Sequence, residues 1–189
     1  IYIHANNASS TLSGSIHGNQ LDTIGQNGFL VYSYASAQIT GLTVDGNTIS
    51  NTTLDGIHFY TYTKGRTTAV ISNNTITGSG SEGIYVYAQS GSDINNQSVS
   101  DLDITGNTIS GSASYGIYCR AYSWGNTIQD IDSNTIYDGT NIGIYVKTEN
   151  YSTSSGSSSK RRRKSSFAKN AWRRWGSSSP PSPTSCATP

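Results

Sequence analysis

Gly46-Asn47-Thr48-Ile49-Ser50, followed nine residues after the Asn by Gly56-Ile57-His58-Phe59, decides the fold because it recurs. Asn19, Asn47, Asn74, Asn107 and Asn134 stand at intervals of 28, 27, 33 and 27 residues. Nine residues after each lies Gly28, Gly56, Gly83, Gly116 or Gly143, and the next residue is Phe29, Ile57, Ile84, Ile117 or Ile144. Two residues after each Asn comes Leu21, Ile49, Ile76, Ile109 or Ile136, and three before it Ile16, Val44, Ile71, Ile104 or Ile131. A fifth column reads Val31, Phe59, Val86, Cys119 and Val146. Five registers kept over five copies make an internal repeat, and a period of about 20–50 residues signals a solenoid or array.

Within each copy the apolar residues sit in short alternating runs such as Ile144-Tyr145-Val146 and Leu102-Asp103-Ile104. Alternation with β-branched residues predicts strands whose alternate side chains point inward. Glycine and Asn at fixed places are expected to supply turn conformations that other residues resist. Each copy is then one coil of about three short strands, and coils stack in parallel at roughly 4.8 Å. The expected fold class is all-β: a parallel β-helix of about five coils of 27–33 residues, spanning residues 1–150.

The Gly46–Ser50 and Gly106-Asn107-Thr108-Ile109-Ser110 runs, with Gly56-Ile57 and Gly116-Ile117, resemble the right-handed parallel β-helix repeat of the pectate-lyase-like superfamily. The resemblance covers about Ser15–Lys147 and implies the right hand, which general crossover preference also favours. Leu102-x-Ile104-x-x-Asn107-x-Ile109 fits a leucine-rich-repeat strand as well, but that architecture needs a leucine-rich convex side and the chain has six leucines. The family's familiar active-site motifs are missing: residues 1–150 contain no proline, so neither the Arg-x-Pro-x-x-Arg nor the Asp-Pro-x-Asp element is present. The polygalacturonase signatures are missing too, since Asn-Thr between residues 40 and 140 is followed by Ile wherever it belongs to the repeat.

The net charge of +1 conceals a split. All 11 acidic residues lie in residues 1–150 with four basic ones (Lys64, Arg66, Arg120 and Lys147), whereas residues 151–189 hold the other eight basic residues and all four prolines. This second segment reads as a Ser/Pro/basic low-complexity tail, either disordered or the artefact of a shifted reading frame. Were it genuine, Lys160–Lys164 with Trp172 and Trp175 would suit a nucleic acid or another anionic partner. Ile1 aligns with Phe29 in the middle of a coil and no Met occurs, so the expectation is a piece of a longer protein. Uncapped coil ends would permit oligomers. No apolar run approaches the ~20 residues of a membrane helix.

Function on such a solenoid is expected on outward ladders and inserted loops. One outward column reads Tyr2, Leu30, His58, Tyr85, Tyr118, Tyr145; the next reads His4, Tyr32, Tyr60, Tyr87, Arg120, Lys147. A third holds Tyr34, Tyr62, Gln89, Tyr122 and Glu149. An aromatic strip suits sugar rings, whose C–H faces stack while their hydroxyls bond phenols, although aromatic ladders also stabilise a sheet by themselves. Candidate binding residues are His58, Tyr60, Tyr85, Tyr87, Tyr118, Arg120 and Tyr145. The third coil is six residues longer, in the Gln89–Ser100 region, and could wall a groove beside them.

Asp55 and Glu82, each just before a motif glycine, are the candidate catalytic pair; Asp103 and Asp130 share a second column. Adjacent carboxylates split their pKa values and can act as acid and base, or hold Ca²⁺, although solvated turn residues are the simpler reading and no cofactor is indicated by a motif. Cys119 reads as a buried thiol, and no His/Cys group has zinc spacing. Thr48, Thr75, Thr108 and Thr135 form an outward ladder, a pattern that also invites an ice-binding reading, though β-branched strand positions explain it. The resulting expectation is an extracellular or cell-surface β-helix that binds a polysaccharide along its tyrosine face. If it is an enzyme, it is a polysaccharide lyase, glycoside hydrolase or epimerase. The second reading is a non-catalytic adhesin or a tailspike-like structural segment.

Overall fold

The computed structural model describes residues 1–90, 97–150 and 152–157. Every element among them is a strand, and every pairing is parallel. Numbered in chain order, sheet A comprises β1 (Tyr2–Ala5), β4 (Phe29–Ser33), β7 (Ile57–Tyr62), β10 (Ile84–Gln89), β13 (Ile117–Tyr122) and β16 (Ile144–Glu149). Sheet B comprises β2 (Thr11–His17), β5 (Gln38–Asp45), β8 (Arg66–Ser72), β11 (Val99–Thr105), β14 (Asn126–Asp132) and β17 (Thr153–Ser157). Sheet C comprises β3 (Gln20–Ile24), β6 (Thr48–Thr52), β9 (Thr75–Thr77), β12 (Thr108–Ser110) and β15 (Thr135–Tyr137). The chain visits A, B and C in turn, about five times. This is the expected β-helix, and its strand pairing continues to Ser157. No helix among the described residues could cross a membrane.

The repeat columns become ladders in register. Ile57, Ile84, Ile117 and Ile144 pair across sheet A, Val44, Ile71, Ile104 and Ile131 across sheet B, and Ile49, Ile76, Ile109 and Ile136 across sheet C. All but those at the C-terminal end are buried, and with Phe29, Phe59, Leu42 and Leu102 they fill the bore. Ile144 and Val146, at the C-terminal edge of sheet A, are exposed. The middle of the anticipated groove wall, residues 91–96, and the basic segment 160–175 lie outside the described residues.

The turns depart from expectation in one respect. The motif glycines Gly28, Gly56, Gly83 and Gly116 do not adopt positive φ. They are glycines for want of room: a Cβ on Gly83 would stand 2.4 Å from Ile109 Cγ2 and 2.7 Å from the Gly116 carbonyl oxygen. The left-handed conformation falls instead on the residue before each ladder Asn, as at Gly46 (φ 60°), Asn73 (φ 53°) and Ser133 (φ 55°). Small polar residues tolerate that region, so the position varies between coils while the crowded one does not.

The ladder Asn residues face inward at the turn between sheets B and C, and Asn47, Asn74 and Asn107 are fully buried. The Asn47 backbone N–H and its Nδ2 both donate to Asn74 Oδ1 at 2.9 Å. Asn74 repeats this on Asn107 at 3.0 and 2.9 Å, and Asn107 on Asn134 at 2.9 Å for both bonds. The Nδ2 groups also reach back one coil, Asn74 to the Val44 carbonyl at 2.9 Å and Asn107 to that of Ile71 at 2.8 Å. Each internal Asn thus ties its own coil to the coils on both sides.

Asn74→Ala removes the acceptor of two Asn47 donors and the donor to Val44, all in a dry interior. At about 1–3 kcal/mol per orphaned group, we expect a loss of about 4 kcal/mol in denaturant unfolding. Asn19→Ala, at the half-exposed first coil, should cost no more than about 1 kcal/mol. Equal losses for the two would contradict a cooperative internal ladder.

Candidate functional site

The outer face of sheet A follows from strand alternation. In β7, β10 and β13 the odd positions of each strand are buried and the even ones half-buried, so Ile57, Phe59 and Thr61 enter the bore while His58, Tyr60 and Tyr62 stand outside. Register then aligns like with like: His58, Tyr85, Tyr118 and Tyr145 in one row, Tyr32, Tyr60, Tyr87, Arg120 and Lys147 in the next. All seven candidate binding residues lie on this face.

The rings form one connected array. Centroids are 5.0 Å apart for Tyr32–Tyr60, Tyr60–Tyr87 and Tyr85–Tyr118, and 5.2 Å for Tyr118–Tyr145, close to the coil spacing. Tyr60 and Tyr87 are parallel within 2°, Tyr85 and Tyr118 within 12°. Such rings cover one another's faces. Within the ladders, therefore, a ligand meets edges and phenolic hydroxyls, and the anticipated stacking of sugars on open ring faces is restricted to ladder ends. Tyr115, in the turn before β13, adds a ring at 5.0 Å from both Tyr118 and Tyr145. Burial raises the phenol pKa of Tyr32, Tyr60, Tyr85, Tyr87 and Tyr118, for Tyr60 to about 12, so these five hydroxyls remain protonated donors at physiological pH.

Polar groups interleave with the rings. The Tyr87 hydroxyl donates to Gln89 Oε1 at 2.8 Å and the Tyr60 hydroxyl to the same atom at 3.4 Å. The Arg120 guanidinium lies 5.2 Å from the ring centroids of both Tyr87 and Tyr122, and its Nε donates to Glu149 Oε2 at 2.7 Å. Lys147 Nζ meets the other oxygen of Glu149 at 2.9 Å. Two cations share one carboxylate, which leaves this end of the face positive. Gln89, Glu149 and Tyr115 were not among the predicted site residues. The first two occupy an outward column already visible in the repeat, whereas Tyr115 belongs to a turn column of unrelated side chains.

Asp55 and Glu82 come together at the edge of sheet A, in the turns entering β7 and β10. They extend a second ladder that starts from Asn27. Asn27 Oδ1 accepts the Asp55 N–H at 2.9 Å, and Asp55 Oδ1 accepts the Glu82 N–H at 3.0 Å. The other Asp55 oxygen accepts His58 Nδ1–H at 2.8 Å, and Ser81 donates to Glu82. Burial pushes the Asp55 carboxyl up, but the hydrogen bonds from His58 and Glu82 outweigh it and hold the group below its ordinary value. Burial and the adjacent Asp55 carboxylate push Glu82 the other way, above its ordinary value. Two adjacent carboxyls whose pKa values are pushed in opposite directions are an arrangement suited to acid–base chemistry.

Elsewhere the face-to-solvent chemistry is thinner. Asp103 and Asp130 do pair across sheet B, both exposed, beside shallow depressions lined by Val70, Asp101 and Asp132. Among the described residues no three His, Cys, Asp or Glu side chains converge as a metal-ligand set. Cys119 is fully buried in sheet A, and burial pushes its thiol up to about 12, which makes it a core residue. Thr48, Thr75, Thr108 and Thr135 form the outward ladder of sheet C.

A family model described as a right handed beta helix region matches residues 1–170. No match was found among curated proteins or among solved structures.

The two carboxyls should have opposite signatures in stability. A raised folded pKa means that Glu82 contributes fully below its unfolded value near 4.5 and loses that contribution as pH rises toward the folded value. Glu82→Gln should therefore stabilise the protein at pH 7 and change little at pH 4. For Asp55 the contribution is present above 3.8 and lost as pH falls through the lower folded value, so Asp55→Asn should destabilise at pH 7. Urea midpoints across pH measure both, and a destabilising Glu82→Gln at pH 7 would refute a raised Glu82 pKa.

Proposed function

The chain belongs to the right-handed β-helix family, and from its tyrosine-lined outer face we propose that it binds a polysaccharide along sheet A. The carrying observation is the continuity of the array: a hydroxyl-bearing ring on every strand of sheet A, joined by the charged Arg120 and Lys147 on its last two strands. A periodic ligand lying along the solenoid axis would meet equivalent donors once per coil. Phenols at the ring tips, Gln89 and the guanidinium supply the hydrogen bonds that select sugar hydroxyls, and ring edges supply apolar contact. We take the site of action to be outside the cell or at its surface, where such chains are encountered. Chemistry on the bound chain, cleavage or epimerisation, falls to Glu82 as acid with Asp55 beside it.

The ring-on-ring stacking itself favours a second reading, in which the ladders serve only to hold the sheet in a structural or adhesive rod. Affinity electrophoresis through gels containing neutral or acidic polysaccharides separates the two. Retardation by at least one glycan is expected, weakened about tenfold or more by Tyr85→Ala with Tyr118→Ala at unchanged circular dichroism. Migration unaffected by every glycan would favour the rod. Release of reducing ends or unsaturated products, lost in Glu82→Gln, would establish catalysis.

A further inference from the structure

We propose that His58 is a general base held ready beneath Tyr85, its Nε2 kept as an unengaged acceptor for a hydroxyl of the bound ligand. The argument begins with the tautomer. Asp55 holds His58 Nδ1 at 2.8 Å, and an ionised carboxylate can only accept, so Nδ1 carries a proton and, in the neutral imidazole, the lone pair is left on Nε2. That Nε2 is buried from solvent and has no hydrogen-bond partner. A buried acceptor left unpaired costs about 1–3 kcal/mol, and a neighbouring hydroxyl would ordinarily satisfy it. Here tyrosines surround the imidazole and none does so.

The cover is specific. Along the solenoid axis His58 lies between Leu30 and Tyr85, its ring 4.7 Å from that of Tyr85. Along its own strand it faces Tyr60 at 6.2 Å, and Asp55 supports it from the preceding turn. The Tyr85 phenol in turn lies within the electrostatic reach of Arg120, one coil further on. Displacing one ring therefore opens the lone pair toward the face on which the ligand is proposed to lie. A hydroxyl entering there donates to Nε2. If its proton transfers, Nε2 gains what the oxygen loses, Asp55 stabilises the imidazolium, and Glu82 is the neighbouring acid able to return a proton. The choice of a sugar hydroxyl rests on the polysaccharide reading, whereas the tautomer and the cover do not.

Diethyl pyrocarbonate, which acylates unprotonated imidazole nitrogens, tests this on the full chain without any ligand. The chain has three histidines, and His4 and His17 are exposed. His58 should react about tenfold or more slowly than His17, as expected for a group that reacts only on local opening. Tyr85→Ala should bring it within about twofold of His17, while Tyr85→Phe, which keeps the ring, should leave it slow. Long-range proton–nitrogen spectra should show His58 Nδ1 protonated and Nε2 bare. The proposal is overturned by the reverse tautomer, by a His58 as reactive as His17 in the native chain, or by slow modification that persists in a natively folded Tyr85→Ala variant. None of these outcomes depends on glycan retention, so the two proposals fail separately.

Discussion

The buried asparagine ladder is the constraint on which the structure depends. In a parallel solenoid of short strands the aliphatic packing resists a slip of one residue but tolerates a slip of two, which keeps the same alternate side chains inward. An amide in the bore is not so tolerant. Asn74 accepts two hydrogen bonds from the coil before and donates to the coil after, and a shift would strand all of these groups in a dry interior. A slip of one residue would also exchange inward and outward side chains, placing Tyr60 where Phe59 packs. The ladder makes both slips costly.

The outer face inherits its order from this interior registry. Tyrosines in neighbouring coils meet at 5.0 Å because the backbones beneath them are held in step. The acid column uses the same device with different chemistry. Where Asn27 offers an amide oxygen to the next coil, Asp55 offers a carboxylate, and the chain then places Glu82 directly above it. An amide ladder carries no charge, whereas a carboxyl ladder must resolve its charge: Asp55 engages His58 and is held below its ordinary pKa, while Glu82 is pushed above its own. The turn column thereby brings two carboxyls and an imidazole together at the edge of sheet A.

Much of this was legible in the sequence, for a physical reason: a solenoid converts sequence period directly into spatial adjacency. Asn47 to Asn74, Ile57 to Ile84 and Tyr60 to Tyr87 become neighbours without any knowledge of tertiary packing. The role of the motif glycines was misread as conformational. The signal that separates the two roles was present, since one column reads glycine in all five coils (Gly28, Gly56, Gly83, Gly116 and Gly143), whereas the true positive-φ column reads Gly46, Asn73 and Ser133 alike. Ring orientation, the pairing of Gln89 with two phenols, and the bare Nε2 of His58 depend on side-chain torsions that no period encodes.

Amide hydrogen exchange of the ladder side chains tests the interior account most directly. The Nδ2 protons of Asn47, Asn74 and Asn107 should exchange as slowly as the backbone amides of the central strands β7, β10 and β13, opening only with the fold itself. Exchange at the rate of a solvated carboxamide, in a chain whose strand amides stay protected, would show that the coils are held in register by something other than this ladder.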